Sequence, residues 1–295
     1  MTTEAVGNKD LLLEKQYRKE RVKSRFAWTG AWFMAIFWTL IALIPFIFMI
    51  LNSFRKQFDM LTQGVFSLPN PWFFDNYPNI VANGFFGYFR RSMFIVALSL
   101  ILTLAFSAFA AYPLARMKFK SRGVIYAGIV AMMSIPRHVT LIPIFKMTNA
   151  MGLRDQLISL LGPYVAFALP MSVFILTGFM TTIPHEIEEA AVIDGCNPYR
   201  MFFRIILPLS KSGLSTLAIY NGVLLWNEFA FANTLLTSPN QKTLPLALGQ
   251  FKGEHSMDMP LILAVLVLSA LPMIVLFVIF QDKLVKGMMA GAVKG

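Results

Sequence analysis

Long apolar runs separated by short charged stretches set the pattern of this chain. A helix that crosses a bilayer needs about 20 mostly apolar residues, rising about 1.5 Å each through a hydrocarbon core about 30 Å thick. Six runs meet that requirement: 27–51, 92–115, 123–145, 156–184, 214–236 and 259–281. Only the third, with Arg137 and His138, and the fifth, with Glu228, carry an Asp, Glu, Lys, Arg or His. Backbone groups in lipid must find partners within their own segment, so these runs predict helices and not isolated strands. The expected fold is all-α and integral to a membrane, with six transmembrane helices.

Composition agrees. The 295 residues are 57% hydrophobic and 14% charged, with a mean hydropathy of +0.62. A soluble domain carries about 25% charged residues, so a disordered chain is excluded and an ordinary cytosolic enzyme is disfavoured. The net charge of +11 would suit nucleic acid, but the charges lie between apolar runs and not on one face of a soluble domain. Cys196 stands alone, and His138, His185 and His255 share no ligand spacing, so neither an internal disulfide nor a metal site is expected. No cofactor is expected either, and the chain lacks the glycine-lysine signature of a P-loop.

The first run holds 25 uncharged residues and follows a charged segment, which reads as a retained span and not a cleaved leader. With the N-terminus placed inside, Lys and Arg number 17 on inner segments and 9 on outer ones. That bias predicts both termini in the cytoplasm. The domain reading is a cytoplasmic segment at 1–26, a transmembrane domain at 27–282 with the inner loop at 184–209 inside it, and a cytoplasmic tail at 283–295. The 52–91 loop carries 11 aromatic residues, some of them expected at the membrane interface.

The inner loop at 184–209 reads as helix, sharp turn, helix. Pro184 opens the first helix, where Glu186, Glu188 and Glu189 complement the positive end of its dipole. Gly195 suits a left-handed residue ending it. Asn197 and Pro198 form an N-cap and first-turn pair, and Pro208 is expected to stop the second helix. Ile187, Ala190 and Ala191 share one face of the first helix; Tyr199, Phe202, Phe203 and Ile206 make an apolar stripe on the second. Helices that lie on lipid usually carry Lys and Arg on their polar face. Three glutamates point instead to a protein partner.

Glu189-Ala190-Ala191, Asp194-Gly195, Ile205 and Leu207-Pro208 resemble the EAA motif of membrane subunits in ATP-binding-cassette importers. Gly287–Gly295 and Trp226-Asn227-Glu228-Phe229 resemble the carbohydrate-uptake branch of that family, in particular the second permease of maltose-type systems. The resemblance runs from about residue 27 to 295. It departs from the family pattern at Ser212, where proline is common, and at Arg91, where asparagine is common. The resemblance implies that the loop between the fourth and fifth spans is a cytoplasmic coupling helix docking on an ATPase, with Glu189, Ala190, Ala191, Asp194, Gly195, Leu207 and Pro208 carrying the contact. It further implies a second homologous permease, two ATPase subunits, an extracytoplasmic solute-binding protein, a sugar cargo and a bacterial inner membrane. The chain itself would catalyse no covalent chemistry.

Tyr220 and Asn227, and Asn221 and Glu228, are each seven apart and would stack on one stripe of a continuous fifth helix. An acid at that depth costs on the order of 3 kcal/mol to insert. The stripe either lines a path for a hydroxylated solute or makes hydrogen bonds between helices. Arg137 and His138, after Pro136, suit a snorkelling interface position or a solute contact. Rival readings are an importer of another solute such as polyamine or peptide, a self-sufficient secondary transporter, and a signalling membrane protein.

Overall fold

The computed structural model describes the backbone of residues 3–249 and 258–292, and the side chains of 28–249 and 258–279. The basic side chains of the N-terminal segment, His255 and the side chains of the 287–295 tail therefore lie outside the described residues. The chain divides into two compact units, Met1–Phe73 and Phe74–Gly295.

In the first unit, α1 (Thr3–Ser53) is a helix of 51 residues with Pro45 inside it, followed by the short α2 (Gln57–Thr62). Its apolar part, Trp28–Ser53, buries none of its most apolar window within the chain, as expected of a surface built for lipid. Beyond it the chain folds back on Arg55, which is buried. The guanidinium donates to Asn52 Oδ1 at 3.1 Å and to the Gly64 and Ser67 carbonyls at 3.0 and 2.6 Å.

The second unit contains α3 (Asn76–Ala82), α4 (Phe85–Arg116), α5 (Arg122–Met132), α6 (Leu141–Ala150), α7 (Leu161–Thr181), α8 (His185–Ile193), α9 (Pro198–Leu209), α10 (Lys211–Trp226), α11 (Ala230–Leu235), α12 (Leu244–Ala247) and α13 (Met259–Ala292). All are helical, and no strand occurs among the described residues. Four helices are long and apolar enough to cross a membrane, or six when each of two bent pairs is one span.

The centre is α4 packed along α7. Ser92, Ser99, Thr103 and Ser107 are buried on α4, and such small side chains let helix backbones approach closely in lipid. Two apolar cores result. One gathers Phe85, Tyr88, Trp226, Phe231, Leu244 and Val265. The other gathers Ala111, Tyr112, Met180, Ala191, Phe202 and Ile206 at the end that carries the 184–209 loop.

Two expected spans are broken. The third bends by 87° between α5 and α6. Pro136 takes an extended conformation, offers no amide proton and pushes its predecessor away from helix. A 3-10 turn at Arg137–Thr140 then restarts the chain.

The fifth is not continuous from 214 to 236. It ends at Trp226, because polar side chains capture the backbone there. Asn227 donates through Nδ2 to the Val223 carbonyl at 2.9 Å. The single stripe of Tyr220, Asn221, Asn227 and Glu228 is thereby corrected: the first pair rides on α10, and the second sits in the break after it.

Candidate functional site

The 184–209 loop forms as the pattern predicts, with one correction. Helix α8 starts after Pro184. Gly195 has a φ of +77°, the left-handed region in which a side chain is strained. Asn197 caps α9, its Oδ1 accepting from the Arg200 N–H at 2.9 Å. Pro208 does not stop this helix, which runs to Leu209. The ring cannot donate to the Arg204 carbonyl and crowds it; the helix accommodates this with a wide π-turn at Phe202–Ile206. The chain then bends 67° into α10.

The apolar stripe of α9 divides. Phe202 and Ile206 are buried, whereas Tyr199 is 79% exposed and Phe203 is also exposed. Phe202 packs on Tyr112 and Phe109 of α4, with ring centroids 5.1 and 5.3 Å apart. On α8, Ala191 is buried while Val192 and Ile193 face outward, Ile193 being 86% exposed. Glu189, Ala190 and Asp194 are exposed as well.

A residue outside the motif holds this loop. Arg116, the last of α4, pairs with Glu188 of α8; their side chains are 2% and 17% exposed. The same guanidinium donates to the Ile183 carbonyl at 2.7 Å. Read along the sequence, Arg116 is one of four basic residues flanking a span. Nothing local links it to a glutamate 72 positions later.

The second candidate is a cleft of about 950 Å³ between α5, α7, α10 and α11. It is lined by Tyr220, Asn221, Asn227 and Glu228, and also by Arg137 and His138 from the broken third span. Sequence reading missed Tyr164, whose hydroxyl donates to Glu228 Oε2 at 3.0 Å. The Phe231 and Ala232 amides donate to Oε1 at 2.8 Å and Oε2 at 3.1 Å. Glu228 therefore caps α11 and ties it to α7. Asn221 is buried, its Nδ2 donating to Ser172 Oγ at 2.9 Å.

At the other end of the unit, Asp155 clasps the loop after α11. Its Oδ1 accepts from the Thr237 and Ser238 amides at 2.7 and 2.9 Å, and its Oδ2 from the Ser238 hydroxyl. Those hydrogen bonds, the Ser238 ones foremost, lower its pKa to about 2. Nearby, Arg91 donates to the Lys242 carbonyl at 2.8 Å.

Residues 103–290 match the family model described as "Binding-protein-dependent transport system inner membrane component". The chain belongs to that family. This permease is 48% identical over 263 residues to ORF2 of a Caldicellulosiruptor species, a protein named as an ABC transporter permease, covering 89% of this chain and 95% of that one. It is 31% identical over 283 residues to the trehalose/maltose transport system permease MalG of Thermococcus litoralis, covering 94% and 99%. Its fold matches a chain in the crystal structure of a bacterial ABC transporter that imports the acidic polysaccharide alginate. There the TM-score is 0.75 and the identity 24%, over 87% of this chain and 95% of that one. The permease is thus a multi-pass transport subunit of an inner membrane, and not itself an enzyme.

Proposed function

We propose that this permease forms one half of the pore of an ATP-driven importer of sugars, with oligosaccharides as cargo. A homologous permease would supply the other half, two ATPase subunits the energy, and an extracytoplasmic protein the solute. Both termini and the 184–209 loop would face the cytoplasm, in keeping with the 17-to-9 distribution of Lys and Arg. The likeness to a trehalose/maltose permease supports sugar as the cargo class.

The observation that carries this reading is the build of the loop. A coupling element must pass on rigid-body motion, so it needs a stiff helix, a fixed turn and a firm root. Here α8 ends on a left-handed Gly195, α9 is rooted by Phe202 and Ile206, and Arg116 pairs with Glu188. Outward of that root lie Glu189, Ala190, Val192, Ile193, Asp194 and Tyr199, an apolar and acidic surface fitted to a protein partner. Ala191, Leu207 and Pro208 shape the support beneath it. Closure of the ATPase dimer would drive the loop, and the loop would turn the cleft from one side of the membrane to the other. Tyr220, Asn221, Asn227 and Glu228 are proposed as part of that path, with Glu228 chiefly fixing its wall.

The test is purification of the tagged chain in mild detergent from its host, followed by mass spectrometry. Recovery of an ATPase and a second permease is expected, and Gly195→Asp should leave the chain inserted but without ATP-driven uptake. A chain that is recovered alone and accumulates solute on an ion gradient would overturn the proposal.

A further inference from the structure

The polar groups of the cleft are unevenly engaged. Its lining includes Arg137, His138 and Glu228 together with Tyr164 and Tyr220. The Glu228 carboxylate is saturated by the Tyr164 hydroxyl and the Phe231 and Ala232 amides. Both its oxygens are engaged on the wall. Among the described residues no ion pair or hydrogen bond engages the side chain of Arg137 or His138. Both are exposed to the cleft.

A guanidinium keeps its charge at any physiological pH and presents a planar fork that matches a carboxylate through two parallel hydrogen bonds. No hydrogen bond among the described residues engages the Arg137 fork, so it can receive a carboxylate. The rest of the wall suits a sugar ring. Tyr220 and Phe229 offer exposed aromatic surface, Phe167 a partly exposed ring, and Asn227 an amide. Binding sites are commonly built this way, apolar and aromatic with a few placed polar groups. The volume of about 950 Å³ admits a short oligosaccharide and not only a monosaccharide.

We infer that the cargo is an acidic oligosaccharide bearing uronic acid carboxylates, and that Arg137 receives a carboxylate as the solute passes the cleft. This rests on the reading of the chain as a sugar-importer permease and narrows it. His138, the next residue in the same 3-10 turn, adds a second hydrogen-bonding group beside the guanidinium.

The experiment uses the whole importer, with its partner permease, ATPases and binding protein, reconstituted in liposomes. Uptake is measured for an equimolar mixture of trigalacturonate, a glucuronic-acid-substituted xylotetraose, xylotriose and cellotriose. Enrichment of either acidic sugar inside the liposomes is expected. Arg137→Gln should lower the uptake of acidic sugar about tenfold or more, the loss of one charge-assisted contact. Arg137→Lys should retain part of it.

Uptake of the neutral sugars alone, or acidic uptake unchanged in Arg137→Gln, would overturn the inference while leaving the importer reading in place. Uptake of none of the four sugars by an assembled, ATP-hydrolysing complex would sink both. Loss of the partner permease from purified Arg137→Gln would also overturn the inference, because the guanidinium would then be holding a subunit and not a solute.

Discussion

Arg116, the last residue of α4, and Glu188, in the first turn of α8, form a buried ion pair that joins a membrane-spanning helix to the proposed coupling loop. A buried pair is weak evidence of net stability, but removing one partner strands a charge at a cost of about 3–5 kcal/mol. Arg116→Ala or Glu188→Ala should therefore lower the thermal unfolding midpoint of the detergent-purified chain. The paired replacement Arg116→Met with Glu188→Leu should restore much of that stability. If the pair also transmits motion, the double variant will unfold normally yet consume more ATP per solute moved. Equal midpoints for the single and paired variants would show that the contact is not energetically coupled.

Gly195 meets no atom within 4 Å of an added Cβ, so the obstacle there is the backbone and not space. Gly195→Ala should cost about 1–2 kcal/mol through its left-handed φ. Gly195→Asn, a residue that tolerates that region, should cost less. The order of the two variants in thermal unfolding and in ATP-driven uptake checks this. A reversed order would point to a side-chain clash with the partner subunit.

Gly213 is the opposite case. A Cβ there would stand 2.8 Å from Cγ of Phe179, where α10 lies against the end of α7. Gly213→Ala should destabilise by about 1–3 kcal/mol, the range for overpacking. Phe179→Leu should relieve part of that penalty in the double variant. Additive effects in a thermal double-mutant cycle would rule out the contact as the cause.

Glu228 and Tyr164 separate wall from path. Tyr164→Phe removes one neutral donor and should cost about 1 kcal/mol. Glu228→Gln should cost more, because an amide nitrogen would face a backbone or hydroxyl donor. Uptake measured against solute concentration should then show lower maximal rate and poorer assembly at unchanged apparent affinity. A raised half-saturating concentration with full assembly would instead put Glu228 in contact with the solute.

Asp155 gives an acid limb to stability. Its folded pKa lies near 2, below its ordinary value of 3.8, so the stabilisation is fully present above about pH 4. It is lost as pH falls through the interval from 3.8 towards 2. Asp155→Asn should flatten that interval in pH-dependent unfolding and leave the neutral-pH slope unchanged. An identical acid profile in the variant would show that the Thr237 and Ser238 contacts do not survive in solution.

Much of the fold was legible because its signals are local. Four of the six apolar runs, Pro184, Gly195 and the Asn197-Pro198 pair each act within a few residues, and each forms the expected element. The breaks at 133–136 and 227–229 were harder to read. Hydropathy counts apolar side chains but is silent on where a proline or a self-capping asparagine ends the backbone ladder, so 214–236 looked like one helix. The Pro208 misreading has a similar root: a helix can absorb proline by widening the preceding turn. Tertiary partners were not legible at all. Nothing beside Arg116 announces Glu188, and nothing beside Tyr164 announces Glu228, because each pair is made by chain crossings far apart in sequence.

Helix α5 contains 11 residues and so reaches about 16 Å, roughly half of the hydrocarbon core. During biosynthesis a translocon sorts each emerging segment largely by its own partition free energy, and half a span gives it little to sort. The stretch acquires its apolar company only once α7 has emerged, where Tyr126 stacks on Phe174 at 6.3 Å. Topogenesis of this region is therefore governed by α4 and α7, with the broken third span entering the bilayer as their passenger.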